Sequence, residues 1–260
     1  MRLLTNFVSF ILGLSLLLQA SAVFAQDPLI ARFSTSNVKP WGFLNQEGMP
    51  AGLLISLVHE LENELTNTRN NRVTINNNIR PYPRVIHEIK KGAIDFAVMF
   101  NSPEANKIGI PLGKVADHKI LIVGLAGTPP INNLNQLQGK PVGHIRGSKY
   151  GPLFDNHQSL NKLPLGSMEQ GLNMLLKKRI YAFASADQTL YYALRELQIP
   201  SHKVIPLMTV SEVSTALYFS KASTRTYLIQ PLTDALAKLK AKGVLDSIFY
   251  KDGYLPSSSN

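Results

Sequence analysis

The sequence predicts an α/β fold layered around a largely parallel sheet, and two observations carry that prediction. Apolar residues recur at helical spacing in several segments, and short continuous apolar runs of buried-strand composition lie between them. The chain of 260 residues also contains no cysteine. It therefore has no disulfide or thiolate metal site, and its length is enough for an ordinary hydrophobic core to hold it.

Taken in order, the N-terminus reads as an export signal. Arg2 gives a positive start, residues 7–18 are almost wholly apolar, and Val23-Phe24-Ala25 offers compact side chains before a cleavage ahead of Gln26. The apolar run is shorter than the roughly 20 residues that cross a bilayer, and no stop-transfer pattern follows. A cleaved signal is expected over residues 1–25, which leaves about 235 residues as a soluble, monomeric periplasmic chain.

The first helical face follows at Leu53, Leu54, Leu57, Val58, Leu61 and Leu65, with Glu60, Glu62 and Glu64 expected as a solvated polar stripe. The Asn-rich patch 67–78 reads as an exposed loop entering a strand at 73–75. Val85, Ile86 and Ile89 mark a short helix, and further stripes run through Leu172, Leu175 and Leu176, then Leu190, Ala193, Leu194 and Leu197. The last, Leu228 to Leu239, breaks at Gly243 and resumes over Val244, Leu245, Ile248 and Phe249. Buried strands are expected at 94–100, 119–125, 141–145, 180–184 and 215–219. Gly127-Thr128-Pro129-Pro130 is a candidate boundary, although the last helix pair is long enough to return onto the first part of the chain. The tail 257–260 is expected to fray.

Lys and Arg number 27 against 17 Asp and Glu, a net charge of +10. These cations are scattered in ones and twos, without a basic block interleaved with aromatics. No nucleic-acid partner is expected, and a bias toward anionic ligands remains.

The motifs then point to a family. Pro40-Trp41-Gly42-Phe43 with Gly48-Met49-Pro50-Ala51-Gly52-Leu53 resembles a first strand, turn and first helix. Pro81-Tyr82-Pro83-Arg84, followed by Ile89-Lys90-Lys91-Gly92-Ala93-Ile94-Asp95, is similar to a helix, Gly and Asp leading into a central strand. Gly139-Lys140-Pro141-Val142-Gly143 through Arg146-Gly147-Ser148 resembles a strand and ligand loop, and Leu239 to Leu245 resembles closing helices. In order and spacing, over nearly the whole mature chain, these resemble the periplasmic solute-binding proteins of polar amino acid ABC importers (solute-binding protein family 3).

The resemblance implies the two-lobed type II periplasmic-binding fold, with a mostly parallel sheet flanked by helices in each lobe. It places lobe 1 at 26–118 and 216–260, lobe 2 at 119–215, and two hinge strands near 117–125 and 209–217. It further implies a small polar solute, an amino acid or related zwitterion or anion, in a cleft that closes by hinge motion. The partner would be a membrane permease, or alternatively a membrane sensor.

An Arg after the central strand grips the ligand carboxylate in that family. An ungapped count from Asp95 puts Lys107 there, and a shift of two puts Ala105. Lysine offers a point charge without the guanidinium fork. Arg146, in the second-lobe loop, is a candidate to compensate or a surface arginine, and Ser148 in the same loop reads as a hydroxyl donor or a cap. Arg84 is a second candidate to compensate, although one half of a surface salt bridge is its favoured reading. Asp187 matches the acidic residue that receives the ligand ammonium, and Asp is also a favoured helix N-cap. Ser102 reads as a hydroxyl donor or a cap. Trp41, the only tryptophan, with Phe43 and Tyr82, forms a possible aromatic wall against core alternatives.

Six histidines, among them His118, show no HExxH or other short metal spacing and read as surface or capping residues. There is no GxSxG elbow, phosphate loop or dinucleotide fingerprint. No cofactor and no catalysis are expected, with a periplasmic dehydratase on the same fold as the enzymatic alternative.

Overall fold

A computed structural model describes residues 29–69 and 73–250. The signal segment, the tail and the middle of the Asn-rich patch lie outside the described residues.

The chain opens with β1 (Leu29–Ser36), a short hairpin of β2 (Phe43–Leu44) and β3 (Pro50–Ala51), and α1 (Leu53–Arg69). The first strand thus precedes Pro40-Trp41-Gly42-Phe43, which forms the turn entering the hairpin. Leu54, Leu57, Val58, Leu61 and Leu65 of α1 are all buried, as their spacing predicts. β4 (Val73–Arg80) runs straight through Asn76, Asn77 and Asn78, where a loop was expected. It pairs with β1 alone, and an edge strand tolerates residues of low strand propensity.

Next come α2 (Tyr82–Lys90), β5 (Phe96–Phe100), α3 (Pro103–Ile108) and the 17-residue β6 (Gly109–Leu125). Gly92, at φ +68°, ends α2 in the left-handed conformation that glycine favours. After a 3-10 turn at Leu134–Leu137 follow β7 (Pro141–Ile145), α4 (Pro152–Asp155), β8 (Asn161–Leu165) and α5 (Met168–Leu176). β9 (Ala182–Ala186), α6 (Asp187–Glu196) and a second 17-residue strand, β10 (Val204–Ser220), come next. α7 (Ile229–Ala241) and α8 (Val244–Phe249) close the described chain, with Gly243 at φ +70° between them.

The eight main strands form one sheet in the order β4-β1-β5-β10-β6-β9-β7-β8. β6 and β10 pair antiparallel from Gly109 with Ser220 to Leu125 with Val204, so both pass through the middle of the whole structure. Four buried clusters cover its faces. Around β1, β4 and β5, one face packs on α1, α7 and α8, and the other packs Val85, Ile89 and Ala105 against Ala97 and Met99. In the second half Ile120 and Ile122 join Tyr150 and Phe154 on one face. Leu121 and Val123 join Leu172 and Leu190 on the other. This strict alternation along β6 is the two-residue period of a strand buried on both faces. Ile131, just past Gly127 to Pro130, packs in the same cluster as Ile120. That segment therefore connects elements within one half rather than dividing the chain.

Two ionic arrangements brace the first half. Asp95 is fully buried and takes Arg32 through Nη2 at 2.7 Å and Nε at 3.2 Å, Ser223 Oγ at 2.7 Å and Arg225 Nη1 at 3.2 Å. Glu64, expected on a solvated stripe, is instead buried between α1 and α7. It pairs with Lys242 at 2.6 Å and Lys238 at 3.3 Å.

Candidate functional site

Strand directions set two groups of strand ends face to face. β5 and β6 both run antiparallel to β10 and so share a direction, and β1 and β4 share it through parallel pairing. β9 runs against β6, and β7 and β8 follow β9. The carboxyl ends of β4, β1 and β5 therefore point toward those of β8, β7 and β9. In open α/β sheets these ends hold ligands.

The register measures the gap. Phe100 closes β5 opposite Thr215 of β10, which faces Ala116 of β6, while Ala186 closes β9 opposite Ile120 of β6. Four residues of β6 separate the two levels. At ~3.3 Å per residue that is roughly 13 Å, a width that suits one small molecule.

His118 lies at the centre of this span and is 1% exposed. Its Nε2 lies 3.2 Å from Thr215 Oγ1, whose hydroxyl donates to the Ala116 carbonyl at 3.3 Å. Trp41 meets the imidazole edge-on with centroids 4.6 Å apart, and Phe100 meets it at 6.1 Å. Burial pushes the His118 pKa down to about 4, so the ring is neutral at pH 7.

The first wall carries Trp41, Tyr82, Arg84 and Ser102. Trp41 also packs 6.0 Å from Phe249 and is partly buried against the core of the first half. Tyr82 is exposed at the start of α2. Arg84 donates from Nε to Glu88 at 2.9 Å, while Ser34 Oγ donates to the other Glu88 oxygen at 3.0 Å. The salt-bridge reading of Arg84 is thus present, with the side chain still largely open to solvent. Ser102 caps α3 by accepting the Ala105 N–H at 3.1 Å. Ala105 is buried against α2 and β5, and Lys107 is exposed in the last turn of α3.

The second wall carries Arg146 and Ser148, both exposed in the loop after β7, where Gly147 takes φ +80°. A cavity of about 230 Å³ borders this loop, lined by His144, Ser148, Lys149 and Lys162 among others. Asp187 is 2% exposed, and its carboxylate accepts the N–H groups of Lys119 at 3.1 Å and Gln188 at 2.7 Å. Burial raises its pKa against the pull of those amides. The N-cap expectation for Asp187 does not hold: Ala186 occupies the cap position, and Asp187 is already the first helical residue. Its oxygens turn to the backbone of β6 and α6. A larger cavity of about 560 Å³, between Gly127, Pro141 and Ile180, sits at the amino ends of the second-half strands. It therefore lies away from the facing ends.

Side chains also join the two halves. Gln188 Nε2 donates to the Phe249 carbonyl at 3.0 Å, Lys39 pairs with Glu196 at 3.7 Å, and Phe43 lies 6.4 Å from Tyr192.

No protein-family model and no curated protein matches the sequence. Solved structures do match. A probable amino-acid ABC transporter extracellular-binding protein from Bacillus subtilis superposes with a TM-score of 0.68 at 17% identity, covering 87% of this chain and 99% of its own. A histidine kinase sensor domain with similarity to periplasmic binding proteins gives 0.65 at 16% identity, covering 87% and 97%. ArgBP from T. maritima, as a mutant, gives 0.64 at 16% identity, covering 86% and 95%. This chain has the two-lobed type II periplasmic-binding fold.

In that fold the facing strand ends are the two lips of the cleft between the lobes, and β6 and β10 are the strands that join them. Of the eight residues expected to bind ligand, Trp41, Tyr82, Arg84, Ser102 and Lys107 follow strands β1, β4 and β5, and Arg146, Ser148 and Asp187 follow β7 and β9. Sequence reasoning took His118 for a surface or capping residue, whereas His118 is buried between the two levels of strand ends, with Phe100 beside it. The one available signal was position: His118 directly precedes the continuous apolar run 119–125, the composition of a strand buried on both faces. Among the described residues no three His, Asp or Glu side chains are grouped to hold a metal ion, and no helix is long and apolar enough to cross a membrane.

Proposed function

We propose that this protein captures a small polar solute, an amino acid or a related zwitterion or anion, in the cleft between its lobes and releases it unchanged to a membrane ABC importer. The observation that carries this reading is the gap of roughly 13 Å between two sets of facing strand ends, bridged among the described residues by two strands. A pair of strands is a natural hinge, and closure about it would enclose a ligand. The matched solved structures support the same reading, since they include binding proteins of amino acid transporters. We place lobe 1 at 26–118 and 216–260 and lobe 2 at 119–215. Residues 1–25 would be the export signal of a periplasmic monomer.

Trp41, Tyr82 and Ser102 on one lip, with Arg146 and Ser148 on the other, are the proposed contacts. Arg84 and Lys107 add positive charge at the rim, and Asp187 supports the second lip through its amides. A carboxylate on the solute would meet Arg146 and the loop amides around Gly147. The exposure of these arginines leaves their side chains able to turn toward a ligand.

A second reading has its own support: a sensor domain of a histidine kinase matches as well as the transport proteins do. In that reading the closed form is presented to a membrane receptor. Solute capture is common to both.

The test is a thermal-shift screen of residues 26–260 against amino acids, polyamines, organic acids and sugars. A solute at 100 times its Kd stabilises the fold by about 2.7 kcal/mol, which at 2–4 °C per kcal/mol is a rise of roughly 5–10 °C. No rise with any of them removes the proposal, and product formation from the bound solute replaces it with an enzyme.

A further inference from the structure

The cleft floor holds a buried polar atom that the protein itself does not answer. His118 Nε2 is within hydrogen-bond distance of Thr215 Oγ1, whereas Nδ1 is buried without a partner among the described residues. Only the tautomer with its hydrogen on Nε2 satisfies both Thr215 contacts at once. Thr215 has one hydroxyl hydrogen, and it is directed to the Ala116 carbonyl. In that arrangement its oxygen is the acceptor toward the imidazole, Nε2 carries the ring hydrogen and Nδ1 presents a bare lone pair.

A buried acceptor left unanswered destabilises the state that contains it. His118 sits midway along the stretch of β6 between the two levels of strand ends, under two aromatic rings. One of these, Phe100, is 40% exposed and bounds the lip of the cleft. An exposed ring changes rotamer readily, and Phe100 can swing without opening either core of lobe 1, since it belongs to neither buried cluster.

We propose that His118 Nδ1 is the hydrogen-bond acceptor by which the cleft selects its solute, receiving an N–H or O–H from an ammonium or hydroxyl group. The proposal rests on the reading of the cleft as a solute site. It gives specificity a direction: solutes with a donor at this point bind, and otherwise similar solutes with only an acceptor there are rejected, because two lone pairs would meet in a water-poor floor. Trp41 and Phe100 beside the imidazole favour a cationic or apolar neighbour over an anionic one. The anionic part of the solute is then directed to the lip of lobe 2, where Arg146 and Lys149 lie.

Trp41 supplies the readout, being the only tryptophan in the chain and in edge contact with His118. Its fluorescence is titrated at pH 7 with the L-amino acids and with their 2-hydroxy and 2-keto counterparts, alongside melting curves. An amino or hydroxy compound should bind at least about tenfold more tightly than its keto counterpart. The preference should vanish in His118→Phe, which keeps a ring and removes the acceptor. A keto acid that binds as well as its amino counterpart, or a preference that survives in His118→Phe, overturns the role of His118 and leaves solute capture standing. No binding by any compound removes both. The nitrogen-15 chemical shifts of His118 in the wild-type protein give a test independent of how the variant folds: Nε2 protonated and Nδ1 bare is the expected state, and the opposite tautomer overturns the proposal.

Discussion

Replacing Asp95 by asparagine removes the buried charge that ties β1 and the segment after β10 to the amino end of β5. The carboxylate is fully buried and accepts from Arg32 Nε, Nη2 and main-chain N–H, from Ser223 Oγ and from Arg225 Nη1. Burial alone would raise its pKa, but the Arg32 and Ser223 hydrogen bonds overcome that and hold it below the usual carboxylate range. Breaking a buried ion pair by removing one partner costs about 3–5 kcal/mol. Both arginines are about one-third exposed and regain some hydration, so the low end applies, about 3 kcal/mol. That lowers Tm by roughly 6–12 °C for a chain of this size. The folded-state pKa is depressed, so the wild-type contribution is fully present above the unfolded pKa of about 4 and is lost as pH falls through the folded value. Urea unfolding of residues 26–260, followed by circular dichroism at pH 7 and at decreasing pH, measures it. A loss under about 1 kcal/mol at pH 7, or a gap between variant and wild type that widens with acid, would refute the reasoning.

Other substitutions probe other links. Gly92→Ala should cost more than about 1 kcal/mol in the same assay, because Gly92 has φ +68° and an added Cβ would point into the Ala222 carbonyl. Glu64→Gln should cost about 1 kcal/mol at pH 7, the bridging lysines being half exposed. Lys242 and then Lys238 hold the Glu64 carboxyl below its usual range against burial, so this deficit should shrink as pH falls below about 4. Arg146→Ala should change Tm by under about 0.5 kcal/mol equivalent and weaken binding of an anionic or zwitterionic solute in calorimetry. Unchanged affinity would take Arg146 out of the site.

Much of the fold was legible where a single period runs unbroken. The strand read at 141–145 is β7 (Pro141–Ile145), and the stripe resuming at Val244 is α8. Legibility failed where tertiary pairing overrides local composition. Apolar runs marked β6 and β10 only over 119–125 and 215–219, and the family resemblance extended them to 117–125 and 209–217, yet each is 17 residues long. Their remaining halves carry Gly, Pro and charged residues, and register shifts interrupt the ladder near Met208, Ser211 and Ala216. Such irregular strands lose the two-residue period but keep their hydrogen bonds. β8 escaped notice because it is an edge strand carrying Pro164. The residues proposed for the lips of the cleft were chosen from the ends of strands that a sequence pattern locates. The His118 environment was not legible, because it depends on Thr215, 97 residues away, and on Trp41 and Phe100. Likewise Glu64 looked solvated until α7 brought Lys238 and Lys242 to it.

Capture without conversion is tested most directly by equilibrium dialysis of residues 26–260 against the solute giving the largest thermal shift, with the bound fraction released and identified by mass spectrometry. One molecule per chain, recovered unchanged, is the predicted result. No uptake above the dialysis control, or recovery of a transformed product, would contradict it.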